Sequence, residues 1–245
     1  MAENPAGNDD FSWSDFDPEA YVAHYYSDPH PDDDEVVRMT CRALVQMRDR
    51  GEVVDVGTGP NLFPLLAALP RAQSVTAYEY SQANVDWLTK ELQRTSLRDP
   101  WPHFWNIVCD THQLKDRADP AARLATASRV IQGSIFELPE RSWDAATMFF
   151  CAESITEKQE EFERACHAFA RAVRASGILA AAFLAGSKGY VVAETAFPAL
   201  AIDEASLRAA FADVATDIVI TPIGLVEEEV RSGYSGMLFL TARAA

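Results

Sequence analysis

The sequence predicts an α/β protein built on a doubly wound, mostly parallel sheet of seven strands that ends in an antiparallel hairpin. Three observations lead there. Beyond Gly51, apolar runs of strand length alternate with stretches of helical spacing, the signature of successive β-α-β units. The first run passes straight into Gly57-Thr58-Gly59, a glycine turn at a strand's carboxyl end. The last two runs, 214–224 and 234–244, follow one another with no helix between them, so they pair antiparallel.

The elements follow in order. Residues 1–15 read as a loose arm. A helix begins at Pro18, a residue well suited to an early helical position, and carries Tyr21, Tyr25 and Tyr26. A second helix runs from about Asp33 to Arg48. The acids Asp32 to Glu35 at its start read as complements to the helix dipole rather than as a cation site. Strands are expected in 52–57, 74–79, 128–133, 143–151 and 177–186. The last of these is apolar throughout, as for a strand buried on both faces. Helices are expected in 61–69, in 81–94 behind a capping Ser81, in 157–175 and in 203–213. Residues 96–128 read as a polar insertion that becomes helical after Pro120. No repeat or linker interrupts the chain, so residues 1–245 are expected to form one domain, with 1–50 as arm and helical lid.

Bulk properties narrow the partners. A net charge of −16 argues against nucleic acid and anionic membranes, which need a basic face, and mildly favours cationic small molecules. No apolar run approaches the ~20 residues that cross a bilayer. The four cysteines lack C-x-x-C spacing and read as free thiols, and the N-terminus resembles no signal peptide, so a cytoplasmic location is expected. The five histidines are scattered, and no metal site is expected. Arginine outnumbers lysine 17 to 4, as in proteins of GC-rich bacterial genomes. A monomer is the expectation, with a dimer as the alternative.

The glycine turn carries the functional reading. In an open parallel sheet, ligands bind beyond the carboxyl ends of the strands. Gly57 and Gly59 let a ligand touch backbone there. The next strand ends in Glu79, 24 residues after Asp55, where a carboxylate can accept both hydroxyls of a ribose. An adenosine-containing ligand follows. Pro60 and Asn61 stand where a third glycine would allow tight packing around a pyrophosphate, which makes a dinucleotide less attractive. S-adenosylmethionine has no phosphate, and D-x-G-x-G with a downstream acid is typical of Class I methyltransferases.

Three stretches together, FDPEAYVAHYY, DVGTGPNLFPLL and YEYSQANVDWL, with FFCAES and GSKGYVVAE further on, are more specific than the turn alone. From about Phe16 to its C-terminus the chain resembles the family of small-molecule methyltransferases that includes the nicotinamide, phenylethanolamine, indolethylamine and thioether enzymes. Residues 96–128 match less well. The resemblance implies S-adenosylmethionine as cofactor, S-adenosylhomocysteine as product, and a small acceptor, an amine or N-heteroaromatic compound above all. With a bacterial origin, it implies specialised metabolism.

The resemblance also assigns residues. Tyr21 and Tyr26 would contact the methionine part of the cofactor. Asp55, Gly57, Thr58, Gly59, Phe63 and Phe149 would surround it, with Phe63 replacing a frequent tyrosine. Glu79 would hold the ribose with help from Asn84, and Ser134 and Ile135 would flank the adenine, although the family commonly has an acid where Ser134 stands. Tyr25, Phe150 and Tyr190 would wall the acceptor. Glu153, after the fourth strand, is the candidate catalytic residue: a carboxylate there can hold an amine and take its proton, directly or through water. It is alternatively a cap for the helix that follows. The second amine-holding acid of the phenylethanolamine enzymes has no clean equivalent near Ser232 or Gly233, and Glu227 to Glu229 read as a solvated face. Methyl transfer to oxygen or sulfur, and cofactor binding without catalysis, remain as alternatives. A nicotinamide-dependent oxidoreductase fits least.

Overall fold

The computed structural model describes residues 5–224 and 235–245. Five strands form the parallel part of the sheet: β1 (Gly51–Val56), β2 (Ala72–Glu79), β3 (Ser128–Gln132), β4 (Trp143–Phe149) and β5 (Val173–Ala185). A small hairpin of β6 (Tyr190–Val192) and β7 (Thr195–Phe197) stands apart from it. The chain ends in β8 (Ala215–Ile223) and β9 (Gly236–Ala244). The seven-stranded order is β3-β2-β1-β4-β5-β9-β8, and β9 runs antiparallel to both of its neighbours. This is the expected sheet with its terminal hairpin. Its near-continuous apolar strands are what a sheet covered on both faces requires.

Helices cover both faces. On one lie α1 (Pro18–Tyr25), α2 (Pro31–Val45), α3 (Phe63–Ala68), α4 (Gln82–Leu92), α5 (Trp101–His112) and α6 (Ala121–Ala127). On the other lie α7 (Gln159–Arg171) and α8 (Glu204–Phe211). Helix α1 starts where Asp17 accepts the N–H groups of Glu19 and Ala20, with Pro18 at the first helical position. In α7, Phe162, Ala165, Cys166, Phe169 and Ala170 recur at helical spacing and are all buried, so the stripe legible in the sequence is the core face.

Several elements differ from expectation. Residues 8–15 are not loose: two single 3₁₀ turns, Asn8–Asp10 and Trp13–Asp15, are fastened to the start of α7. The N–H of Ala6 donates to Glu157 at 2.9 Å, that of Asn8 donates to Glu161 at 2.8 Å, and the Trp13 ring stacks on Phe197 at 5.3 Å. The segment 96–128 contains α5, whose Trp101 and Phe104 are buried against α2 and α3. Its apolar residues fall at i, i+3, i+4 and i+7, and intervening histidine and proline hide the pattern. Helix α7 stops at Arg171, because Val173 pairs with Trp143 and the sheet overrides the helix propensity of the alanines. Helix α2 starts at Pro31, where the His30 ring caps it. Ser81 stands at the start of α4 without capping it; its hydroxyl donates to the Trp13 carbonyl at 2.9 Å.

Candidate active site

Above the carboxyl ends of β1, β2, β4 and β5 lies a cavity of about 650 Å³, within the range of small-molecule and cofactor pockets. The turn after β1 is its floor. Gly57 has φ +63° and Gly59 φ +59°, the left-handed region that glycine enters without strain. A side chain on Gly57 would also collide with the Cys151 thiol behind it, whereas the space over Gly59 is open.

The turn is braced by Glu79. Its Oε2 accepts the Gly59 N–H at 2.8 Å, and Oε1 accepts the Ser81 N–H at 2.8 Å and the Asn84 side-chain amide at 3.4 Å. Burial pushes this carboxyl up, while the hydrogen bonds from Gly59, Ser81 and Asn84 oppose the shift. Asn84 is buried and faces Glu79, not solvent. Asn61 joins the turn to the tyrosine helix: its amide donates to the Tyr26 hydroxyl at 3.0 Å, and its Oδ1 accepts the Phe63 N–H at 3.0 Å.

Tyr21, Tyr25 and Tyr26 stand over the floor, with ring centroids of Tyr21 and Tyr25 4.6 Å apart and of Tyr21 and Tyr26 6.0 Å apart. Thr58, Ser134, Ile135, Phe149 and Phe150 line the cavity as well. Tyr190 lines it from β6 rather than from a loop, its ring stacked on Phe197 at 5.4 Å. The cavity thus gathers thirteen of the sixteen residues singled out from the sequence.

Asp55, Phe63 and Glu153 do not line it. The Asp55 carboxylate accepts the Thr147 hydroxyl at 2.6 Å, tying β1 to β4 from beneath, and burial raises it to about 7 against the lowering effect of that bond. The ring of Phe63 is fully buried, 5.4 Å from both Phe104 and Phe149 and 6.1 Å from Tyr26, so it supports the wall. Glu153 sits in a 3₁₀ turn, Ala152–Ser154, and does not cap α7, which begins after Lys158. Its Oε1 accepts the Leu184 N–H at 2.8 Å; its Oε2 is buried without a hydrogen-bond partner. Burial raises Glu153 to about 7, with the Leu184 bond opposing. The carboxylate therefore lies directly behind the wall that Cys151, Ser154 and Leu184 present to the cavity.

Sequence reasoning missed several wall residues. Asn8 and Trp13 arrive from the N-terminal strap, and Asp28 and Asp33 from the α1–α2 connection and the start of α2. Only the unusual density of aromatic and acidic residues before Gly51 hinted at them. Ser232, Gly233 and Glu227 to Glu229 fall outside the described residues.

The wall fits a phosphate-free, cationic adenosine compound. No Lys or Arg among the described residues lines the cavity, while Asp28, Asp33 and Glu79 do. The first N–H of α3, which a phosphate would seek, is already taken by Asn61. Glu79 stands beside the open face of Gly59.

Comparison with known proteins agrees with this geometry. The chain is 24% identical to phenylethanolamine N-methyltransferase of Sus scrofa over 218 residues, covering 80% of this chain and 76% of that protein. It is 21% identical to indolethylamine N-methyltransferase of Mus musculus, covering 97% and 96%. In fold it resembles the N-methyltransferase NodS of Bradyrhizobium japonicum, solved with S-adenosylhomocysteine, at a TM-score of 0.56 and 10% identity, covering 89% of each chain. The sequence model of one family matches residues 5–245, and the chain belongs to that family, NNMT/PNMT/TEMT, whose members are S-adenosylmethionine-dependent small-molecule methyltransferases.

Proposed function

We propose that the chain transfers a methyl group from S-adenosylmethionine to the nitrogen of a small amine or N-heteroaromatic acceptor. The observation that carries this reading is the character of the cavity. A glycine floor and ribose-type carboxylate continue into a chamber walled by tyrosines and acids, with no lysine or arginine among the described residues lining it. The named activities of the phenylethanolamine and indolethylamine relatives support nitrogen as the methylated atom. The arginine-rich composition supports a bacterial origin, and a place in specialised metabolism is proposed on that basis.

The roles proposed for the chain's residues are those that the family resemblance implies, and their places in the cavity support them. Gly57, Thr58 and Gly59 bring backbone against the cofactor, Glu79 and Asn84 hold its ribose, and Ser134 and Ile135 flank its adenine. Tyr21 and Tyr26 lie against its methionine part, with Phe149 beneath. When bound, the cofactor would supply a methyl carbon on a positively charged sulfur, open to a nitrogen lone pair, with the electron pair of the broken C–S bond left on sulfur. The chain's contribution is mainly alignment of the two reactants and exclusion of water by the aromatic walls. The acceptor nitrogen must offer a lone pair, so an ammonium first loses a proton. Glu153, poised near neutrality and one layer behind the wall, takes that proton through an intervening water. Tyr25, Phe150 and Tyr190 enclose the acceptor.

Two measurements test the proposal. Calorimetry is expected to find binding of S-adenosylmethionine and S-adenosylhomocysteine but not of NAD. A mass-spectrometric screen of amine, phenol and thiol libraries is expected to find one added methyl group on amines. Methylation confined to phenols or thiols would assign the chain to oxygen or sulfur transfer; cofactor binding with no methylated product would leave it a binding protein.

A further inference from the structure

The cavity has two ends, and the topology keeps them apart. Glu79 marks one, at the end of β2; Leu184 of β5 and Met237 of β9 floor the other. Strands β1 and β4 lie between β2 and β5, and with neighbours about 4.8 Å apart the two ends are separated by roughly 14 Å. Whatever Glu79 holds is therefore remote from the second end.

Helix α2 stands over that second end. It packs on β5 and β9, and a side chain on Gly224, just past β8, would collide with the carboxylate of Asp32 near the helix start. One residue further along, Asp33 enters the cavity wall while only 3% exposed. The same stretch of wall holds Tyr21 and Tyr25, and the charge of Asp33 is one of the influences that raise the Tyr21 phenol, behind burial and Tyr25. A buried carboxylate beside ring faces is the arrangement that recognises an organic cation: the carboxylate supplies charge and accepts N–H bonds, while the rings attract the cation through their electron-rich faces.

The geometry points to Asp33 as the residue that selects a positively charged acceptor, holding an ammonium group or protonated ring nitrogen beside Tyr21 and Tyr25 at the β5–β9 end of the cavity. This rests on the proposed amine methylation and adds the side chain that recognises the acceptor and the charge state in which it binds.

The test uses the full chain saturated with S-adenosylhomocysteine and two pairs of probes matched in shape but not in charge: tryptamine with tryptophol, and benzylamine with benzyl alcohol. Calorimetry measures each affinity for the wild type, Asp33→Asn and Asp33→Glu. The wild type is expected to prefer the amine of at least one pair. Asp33→Asn is expected to lose that preference through an amine affinity at least tenfold lower, with alcohol and S-adenosylmethionine affinities within twofold of wild type. Asp33→Glu, which keeps the charge, is expected to retain the preference, and unchanged cofactor binding reports an intact fold. The assignment is overturned if Asp33→Asn keeps the preference, if the wild type prefers no amine, or if the main loss is in S-adenosylmethionine affinity, which would place Asp33 on the cofactor's own ammonium. Failure of the parent reading looks different: it appears in the library screen as products methylated on oxygen or sulfur alone.

Discussion

Glu153 joins two strands of argument in one side chain. Its carboxyl is held near neutrality by burial, its Oε1 accepts the Leu184 N–H, and its backbone carbonyl accepts the Leu200 N–H at 2.7 Å. It therefore braces the end of β5 and the segment after β7 as well as standing behind the cavity wall. Its folded pKa of about 7 lies above the ordinary carboxylate value, so the folded state holds a proton that the unfolded chain releases. That contribution to stability is present in full below the ordinary carboxylate range and is lost as pH rises through about 7. Urea unfolding at about pH 5 and about pH 8 is expected to show a smaller loss for Glu153→Gln than for wild type, by on the order of 2 kcal/mol. Equal losses would mean that Glu153 does not titrate across that interval. Asp55 titrates in both proteins and cancels in the comparison.

At the scale of elements, the tyrosine helix α1 is tied to its neighbours by a side-chain network. Arg98 donates from Nη2 to both oxygens of Glu19, at 2.8 and 3.0 Å, and from Nε to the buried Glu91 at 3.0 Å. The indole N–H of Trp87 donates to Glu19 at 3.0 Å, and the Arg98 guanidinium lies 5.6 Å from the Trp87 ring centroid. An exposed pair is worth little, but this network reaches a carboxylate that is almost fully buried. Arg98→Gln is expected to release α1 by about 1 kcal/mol, so that amide exchange across Tyr21–Tyr26 quickens roughly fivefold while the centre of the sheet keeps its protection. Exchange unchanged in α1 would assign its position to packing and to the Asn61–Tyr26 bond instead.

For the whole molecule, the cavity is walled by the N-terminal strap, α1, the starts of α2 and α4, and the ends of several strands, elements far apart in sequence. Ligand at about a hundred times its Kd is expected to add about 2.7 kcal/mol to stability. For a chain of this size that corresponds to a rise in Tm of roughly 5–10 °C with S-adenosylmethionine or S-adenosylhomocysteine. NAD at the same concentration is expected to leave Tm unchanged. Among the described residues no helix is long and apolar enough to cross a membrane.

Apart from α5 and the β6–β7 hairpin, the succession of strands and helices, the terminal hairpin, the glycine turn and the carboxylate beyond it were legible in the sequence. Each is dictated locally, by the period of apolar residues or by a backbone conformation only glycine enters freely. The tyrosines over the turn were legible through resemblance, with no local rule behind them. Where a side chain points once two elements meet was decided by the tertiary structure alone. Asp55 turns under β1 because Thr147 stands opposite it in the β1–β4 register, and Glu153 turns from the cavity because the Leu184 N–H lies behind it. Trp101 and Phe104 became core because α2 and α3 offered an apolar face to a segment that reads as polar. Asp33, one acid in a run of four, became a cavity residue because α2 packs across β5 and β9. A run of residues specifies what an element is; which of its side chains meets a ligand depends on neighbours that sequence distance conceals.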